Sequence, residues 1–183
     1  FSGPGIPKDK KIDAFSYLLD IFPTLCEVAS IEVPEKVEGQ SLMPLWNGTK
    51  QSLRDSVITI YEDSVGGGCV QRAVRNDKWK LIVYPQINKI QLFDLELDPY
   101  EMNDISSLPR FEGNVAEMTA LLKGWQKEIG DTQALTTDNP RSSQVDVHKL
   151  HRGGLDYHRT AQPKWLMEKY FQDAIELEKT GEY

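Results

Sequence analysis

The sequence predicts an α/β chain in which a small antiparallel sheet packs against one long helix. Strand-like runs within residues 72–84 flank Asn76-Asp77, a dipeptide that suits a tight turn between antiparallel strands. A third apolar run leads into an acidic turn within residues 91–103. Apolar residues then recur at helical spacing over residues 111–129. These observations predict a three-strand meander followed by a helix.

The first fifty residues begin with a predicted strand and helix. Residues 14–19 are compatible with a short buried strand, and Asp20 then takes the N-cap position of a helix with Pro23 in its first turn. This helix should end near Ala29. An N-cap carboxylate accepts hydrogen bonds from free backbone N–H groups, so we expect Asp20 to be structural rather than catalytic.

A second short helix and a further strand follow in the sequence. Ser41 is a candidate N-cap for a helix that ends after Trp46, where Asn47-Gly48 supplies a residue suited to a left-handed backbone. Residues 56–61 are rich in β-branched side chains, which favour a strand.

The helix predicted over residues 111–129 has one apolar face, which should pack on the sheet. That face comprises Val115, Met118, Leu121, Leu122, Trp125 and Ile129.

The last fifty residues have a different character. Residues 132–159 are polar and without periodicity, which indicates an extended segment that wraps over the body. Residues 163–179 are predicted to form a terminal helix whose aromatic side chains dock on the same subunit or on a neighbour, so an oligomer is one outcome. His148 and His151 are spaced as metal ligands are, but no third ligand is fixed by spacing, so we assign no metal here.

The composition excludes several functions. A formal charge of −7 and a pI near 5.0 argue against a nucleic-acid-binding surface. The glycine run at 66–68 lacks the Lys-Ser/Thr of a phosphate-binding loop. No apolar run approaches the ~20 residues that cross a bilayer. Two cysteines do not make a disulfide framework, and Cys26 is expected to be a small core residue.

Three ordered motifs in the predicted meander carry a family resemblance. They are Arg-x-Val-Arg at 72–75, Lys-Leu-Ile-x-Tyr at 80–84, and Leu-Phe-Asp-Leu-x-x-Asp-Pro-x-Glu-x-Asn at 92–103. Further matching blocks lie at 3–7, 20–25 and 38–48. In this order and spacing, over roughly residues 1 to 131, the chain resembles the C-terminal portion of sulfatases of the alkaline phosphatase superfamily.

The resemblance implies an alkaline-phosphatase-like α/β fold in three parts. Residues 1–50 would be the C-terminal end of the large α/β domain, residues 51–131 a small subdomain of four antiparallel strands packed on a long helix, and residues 132–183 a wrapping tail with the terminal helix. The four strands would be residues 56–61, 69–75, 79–84 and 90–95.

The resemblance also implies a formylglycine nucleophile and a Ca²⁺ ion, neither held by this chain. Formylglycine forms from Cys or Ser in a C-x-P-S-R type motif, and neither Cys26 nor Cys69 is followed by the required Pro and Arg. The family's early Asp pair for calcium is absent as well. We therefore expect the catalytic and metal-binding residues upstream, and predict none here.

The segment between Glu62 and Arg72 is the part expected to reach the substrate pocket, because it joins a glycine-rich loop to polar side chains at the start of a strand. Gln71 and Arg72 are the predicted substrate-binding residues. Some relatives place a His near the position of Gln71, so their sugar specificity does not transfer. The structural alternative is that Arg72 and Arg75 pair with Asp94 or Glu62 on the sheet surface.

The leading functional hypothesis is a sulfuric ester hydrolase that acts on an alkyl, aryl or glycan sulfate, with this chain shaping the pocket mouth. Its partners would be the sulfated substrate and the upstream part of the same protein. A glycan substrate would need a local basic patch, for which only residues 72–80 are a candidate. Phosphonate monoester or phosphodiester hydrolysis, and a non-enzymatic binding or oligomerisation module, are the alternatives. Family resemblance alone suggests a periplasmic, secreted or lysosomal location.

Overall fold

The structure is a computed structural model that describes residues 1–3, 6–62 and 70–142. Its four strands are β1 (Val57–Glu62), β2 (Val70–Arg75), β3 (Trp79–Tyr84) and β4 (Lys89–Asp94), in that order and with antiparallel neighbours. The α-helices of the described residues are α1 (Ile21–Val28), α2 (Met43–Trp46) and α3 (Glu112–Ile129). The predicted α/β class and four-strand antiparallel sheet are confirmed, and Phe1–Pro140 form one compact unit.

Several predictions concern residues outside the described ranges. They are the glycine run at 66–68, Cys69, His148, His151 and the terminal helix at 163–179.

The turn between β2 and β3 is closed by a side chain rather than by left-handed backbone. Asn76 Oδ1 accepts hydrogen bonds from the backbone N–H groups of Lys78 and Trp79, at 3.0 and 2.6 Å. Neither Asn76 nor Asp77 has a positive φ, whereas Asn88, between β3 and β4, has a φ of 50°. The turn is therefore where it was predicted, but an asparagine side chain bonded to the following backbone supplies it.

The described residues contain two hydrophobic clusters: a small one formed by Leu42, Leu45 and Trp46, and a larger one between one face of the sheet and α3. The buried residues of the larger cluster are Val74, Leu81, Val83, Leu92, Met118 and Leu122, with Val115, Leu121 and Trp125 packed against them. Ile129 was expected on the same face but is 45% exposed at the last turn of the helix. Gly130, with a φ of 71°, ends α3 in the left-handed conformation that glycine adopts without strain.

The outer edge of β4 is covered by the chain that follows it. Leu92 N–H donates to Asp104 Oδ1 at 3.1 Å, and the Leu92 carbonyl accepts from Ile105 N–H at 3.0 Å. Ser106 Oγ donates to the Ile90 carbonyl at 3.2 Å. These bonds satisfy backbone groups that an edge strand otherwise leaves to water.

The outer edge of β1 is closed at one residue by a tyrosine from the first fifty residues. The Tyr17 hydroxyl accepts from Ile58 N–H at 2.6 Å and donates to the Ile58 carbonyl at 3.1 Å. The Arg54 guanidinium lies 4.8 Å from the centre of the Tyr17 ring. Burial raises the pKa of Tyr17, so the hydroxyl keeps the proton that it donates.

The strand predicted over residues 14–19 does not form. Leu18–Asp20 make a 3₁₀ turn instead, and residues 14–17 pair with no strand. A strand needs a neighbour for its backbone hydrogen bonds, and Tyr17 N–H bonds to the Asp20 carboxylate at 2.7 Å.

Asp20 occupies the predicted N-cap position of α1, but its carboxylate makes no cap hydrogen bond to the helix. It accepts instead from Gln40 N–H at 2.9 Å and, through both oxygens, from the Arg54 guanidinium at 2.7 and 2.8 Å. Burial opposes ionisation, yet the hydrogen bonds from Arg54, Gln40 and Tyr17 prevail and lower the pKa of Asp20. Asp20 is structural, as expected, through a different set of partners.

The N-cap of α2 lies one residue later than predicted. Leu42 holds the N-cap position, while Ser41 Oγ accepts from Met43 N–H at 3.2 Å. Gly48, with a φ of 78°, follows Asn47 at the end of the helix, as predicted.

Helix α1 buries its small and polar residues and exposes its large apolar ones. Cys26 is buried, as expected, beside the fully buried Thr24, whose hydroxyl donates to the Asp20 carbonyl and accepts from Leu42 N–H. The exposed apolar residues are Phe22, Leu25 and Val28 of α1, together with Leu18 of the 3₁₀ turn that precedes the helix. A helix on the surface of a globular protein usually has the opposite pattern, with apolar residues buried and polar residues exposed.

Candidate functional site

The predicted substrate-binding residues, Gln71 and Arg72, are neighbours on β2 and therefore point to opposite faces of the sheet. Arg72 shares its face with Val74, which is fully buried in the core under α3. Gln71 lies on the other face, directly opposite Tyr61 of β1. We call this the second face of the sheet. The two predicted residues thus do not share a surface.

Arg72 is buried in a set of charge-assisted hydrogen bonds. Its Nε and Nη2 donate to the two carboxylate oxygens of Asp131 at 2.7 and 3.1 Å, a bidentate arrangement. Nη2 also donates to Glu62 Oε1 at 2.5 Å, and Nη1 to the Gln71 carbonyl at 3.1 Å. The Arg72 side chain is 2% exposed. Its guanidinium is therefore engaged within the protein.

Asp131, the residue after the end-cap of α3, completes this network. Gln126 Nε2 donates to Asp131 Oδ2 at 2.9 Å, and Gln133 N–H to Oδ1 at 3.2 Å. The hydrogen bond from Arg72 lowers the pKa of Asp131 well below its usual range, and the same bond raises the pKa of Arg72. Both groups are charged at neutral pH, and their pairing ties β2 to the C-terminal end of α3.

The pairing alternatives for the two arginines are resolved differently. Arg72 pairs with Glu62, one of the two partners considered, and with Asp131, which was not. Asp94 instead accepts from the backbone N–H groups of Glu96 and Leu97. The Arg75 guanidinium lies 5.6 Å from the centre of the Phe15 ring.

The lysines of the candidate basic patch are paired too. Lys78 Nζ lies 2.8 Å from Glu96, and Lys80 Nζ lies 2.6 Å from Glu101. Because these carboxylates oppose the lysine charges locally, Lys78 and Lys80 add no unopposed positive charge to residues 72–80.

The second face is polar and aromatic near the Gln71 end of the sheet. Tyr61 is 52% exposed and Gln71 is half-buried. Alternation along β3 and β4 places Tyr84 and Gln91 on the same face, where the Tyr84 hydroxyl donates to Gln91 Oε1 at 2.8 Å. Lys89, the cross-strand partner of Tyr84, adds an exposed cation to the same face. Together these side chains offer ring faces, amide groups and a positive charge, which suit a polar ligand.

The described residues contain no cluster of three or more His, Cys, Asp or Glu side chains placed to hold a metal ion. Within the same ranges, no helix has the length and apolar character to cross a membrane.

Two residues of this region were not predicted from the sequence. Asp131 carries no local signal, because its partner Arg72 is 59 residues away in the chain. Tyr61 could have been predicted from the sequence. Strand alternation implies that residues 71 and 72 face opposite sides of the sheet, and the antiparallel pairing of β1 with β2 then places Tyr61 beside Gln71.

The family model for N-sulphoglucosamine sulphohydrolase, C-terminal, matches residues 3–128. A Delta 4,5-hexuronate-2-O-sulfatase of Bacteroides thetaiotaomicron is 33% identical over 155 residues, which cover 80% of this chain and 30% of that protein. A choline-sulfatase of Rhizobium meliloti is 30% identical over an alignment that covers 99% of this chain and 35% of that protein. The chain thus spans about a third of the length of these relatives.

Solved structures of sulfatases share the fold. A 2-O GAG sulfatase has a TM-score of 0.63 and 31% identity, covering 71% of this chain and 29% of that one. A protein solved with its substrate D-glucosamine-2-N,6-O-disulfate has a TM-score of 0.57 and 25% identity, covering 63% of this chain and 25% of that one. A phosphonate monoester hydrolase from Silicibacter pomeroyi, at 16% identity and a TM-score of 0.60 over 69% of this chain and 28% of that one, shares the fold alone. With the family match over more than half of its length, the chain belongs to the sulfatases of the alkaline-phosphatase-like fold, in the region that the C-terminal family model describes.

Proposed function

We propose that this chain is part of a sulfuric ester hydrolase whose nucleophile and metal site lie upstream of residue 1. The observation that carries the proposal is the family match over residues 3–128 together with the four-strand sheet and long helix that the solved sulfatases share. The substrate would be a sulfated small molecule or glycan. The structural neighbour that binds a disulfated glucosamine supports this class.

The proposed enzyme uses formylglycine and Ca²⁺ that other parts of the protein hold. Formylglycine would supply the attacking oxygen, and Ca²⁺ would offset negative charge on the sulfuryl oxygens. This chain's own contribution would be to shape the mouth of the pocket and to orient the group that leaves from sulfur.

We further propose that residues 1–50 complete the large α/β domain of this enzyme. The exposed apolar face of α1 supports this, because large hydrophobic side chains on one side of a helix indicate a surface that another part of the protein covers. The chain spans about a third of its relatives, so a covering segment of the same polypeptide is available in proteins of that length. In this proposal residues 1–50 are a domain end, residues 51–131 a subdomain and residues 132–183 a tail.

Gln71 and Arg72 are proposed to take part in substrate binding at the β1–β2 end of the sheet. Gln71 would contact the leaving group with its amide. Because Arg72 is buried, it would influence substrate binding indirectly, by fixing the positions of the neighbouring groups to which its guanidinium donates hydrogen bonds.

The proposal is tested by comparing the full-length protein with the 183-residue polypeptide. Full-length protein should hydrolyse 4-nitrophenyl sulfate and lose this activity when calcium is chelated. The shorter polypeptide should be inert at every calcium concentration. Turnover by rigorously purified 183-residue protein would show that the chemistry does not lie upstream.

Phosphonate monoester or phosphodiester hydrolysis is the alternative that the shared fold of the Silicibacter pomeroyi enzyme favours. The kcat/KM of the full-length protein is measured in parallel for 4-nitrophenyl sulfate, 4-nitrophenyl phenylphosphonate and bis-4-nitrophenyl phosphate. The substrate with the highest value decides between sulfatase, phosphonate hydrolase and phosphodiesterase activity. Activity on none of the three, nor on an alkyl or glycan sulfate, would favour the non-enzymatic module.

A further inference from the structure

We propose that Tyr61 is a specificity residue that, with Gln71, binds the sugar ring of the leaving group, and that Arg72 is a positioning residue for this pair. The inference rests on the proposed sulfatase function and names the kind of leaving group that the site takes. It identifies the ligand by chemistry, as a pyranose with apolar C–H faces and hydroxyl groups at its rim.

The pairing of β1 with β2 places the two side chains together. Tyr61 and Gln71 are direct cross-strand partners, so their Cβ atoms are about 5 Å apart and project from the same face. A tyrosine ring beside an amide offers an apolar plane and, at its edge, both a hydrogen-bond donor and an acceptor.

The accessibility of Tyr61 favours a binding role over a core role. Tyr61 is 52% exposed, and the β1 residues from Thr59 to Glu62 are exposed as well, so this end of the edge strand leaves the ring accessible to a ligand. A ring that packs against a sugar removes apolar surface of both partners from water, at little cost in side-chain entropy because tyrosine has two rotatable bonds.

Arg72 cannot contact the same ring. It points to the α3 side, its guanidinium is 2% exposed, and its N–H groups donate to Asp131, Glu62 and the Gln71 carbonyl. Two of these bonds bear on the proposed site: one holds the backbone of Gln71, and the other holds Glu62, the residue next to Tyr61. Arg72 therefore fixes both ends of the Tyr61–Gln71 pair from behind the sheet.

The test uses the full-length protein and two sulfate esters that differ in whether the leaving group is a ring. Tyr61→Ala should raise KM for glucosamine 6-O-sulfate about tenfold, which corresponds to about 1.4 kcal/mol of binding, while kcat changes little. Tyr61→Phe should retain most of the affinity because the ring remains. KM for choline sulfate, whose leaving group has no ring, should change less than about twofold for both variants.

Tyr100→Ala is the matched control, since Tyr100 is 85% exposed on the connection between β4 and α3. It should leave both KM values unchanged. Arg72→Lys keeps a positive charge beside Asp131, so the protein should remain folded. It should reproduce part of the Tyr61→Ala effect on glucosamine 6-O-sulfate and add little in the Tyr61→Ala background, a non-additivity that a purely structural role would not produce.

The outcomes separate this inference from the proposed function. Turnover of choline sulfate without turnover of glucosamine 6-O-sulfate would overturn the sugar-ring inference and leave the sulfatase proposal standing. Equal loss on both esters in Tyr61→Ala, or full additivity of the two substitutions, would overturn it as well. Failure to hydrolyse any sulfate ester would refute the proposed function and the inference with it.

Discussion

Two regions of this molecule distribute their apolar residues in opposite ways. The sheet–helix region, residues 57–129, places its largest apolar side chains between the sheet and α3, where Leu81, Leu92 and Leu122 are fully buried. The N-terminal region, residues 1–50, exposes Leu18, at 86%, and the apolar face of α1 while it buries Asp20 and Thr24. Its own buried apolar cluster is small, comprising Leu42, Leu45 and Trp46. The first region thus makes its core from its own residues, whereas the second leaves large apolar side chains in contact with solvent, a surface that we propose the upstream domain covers.

The largest contrast between the regions should appear when leucines are truncated in the 183-residue polypeptide. Leu122→Ala removes a fully buried side chain and should lower the free energy of unfolding by about 2 to 5 kcal/mol. Leu18→Ala should change it by less than about 0.5 kcal/mol, because that side chain is solvated. Urea titrations measure both. Similar losses for the two variants would contradict the contrast.

A buried ion pair ties the N-terminal region to Arg54, in the segment just before β1, and its loss should be the next largest effect. Arg54→Ala leaves the fully buried Asp20 carboxylate without its charged partner and should cost about 3 kcal/mol. Amide exchange should then speed up most in residues 17–28. Arg110→Ala, which removes an exposed arginine that lies over Phe111, is the control and should have little effect. Exchange that accelerates equally in α3 would indicate that the regions open as one unit.

Acid should weaken both regions through different carboxylates. The folded pKa values of Asp20 and Asp131 lie below the unfolded value of about 3.9. Their stabilisation is therefore present above about pH 4 and lost as the pH falls below it, at about 2 kcal/mol for one strongly shifted group. Asp131→Asn should reduce the slope of stability against pH between about pH 4 and pH 2. An unchanged slope would remove Asp131 as a source of the acid dependence.

The smallest effect in the 183-residue polypeptide should become large in the full-length protein. Phe22→Ser alters the exposed face of α1 and should shift unfolding of this polypeptide by less than about 0.5 kcal/mol. If the upstream domain covers that face, the same substitution should cost about 2 kcal/mol in the full-length enzyme. Thermal melts of both proteins test this, and a small shift in both would show that α1 stays exposed.

The sheet–helix region was the part that sequence reasoning described well, because its signals are local. Strand-like runs and turn residues, together with the family resemblance, placed all four strands to within one residue, and the apolar spacing of α3 identified Met118 and Leu122. Each strand pairs with the strand next to it in the chain, so its alternation already reflects its environment.

The N-terminal region and the candidate site were described less well, because long-range contacts decide them. The predicted strand at 14–19 is replaced by a turn in which Asp20 bonds to Tyr17, and Arg54 lies 34 residues from the carboxylate that it pairs with. The pairing of Arg72 with Asp131 likewise spans 59 residues. Whether Gln71 and Arg72 bind substrate stays a prediction. That they lie on opposite faces of the sheet follows from the alternation of side chains along a strand.

Tyr17 has a consequence for how this chain can be divided. Its hydroxyl satisfies both backbone groups of Ile58 on the outer strand of the sheet, although it belongs to the N-terminal region. A shortened protein that starts at residue 51 would keep β1 and lose this cover, which bares a strand edge next to the exposed side chains of Ile60 and Tyr61. Bare edges of this kind recruit other chains into intermolecular sheets. Aggregation during expression would then reflect the site of truncation, and soluble pieces of this subdomain need to begin before Tyr17.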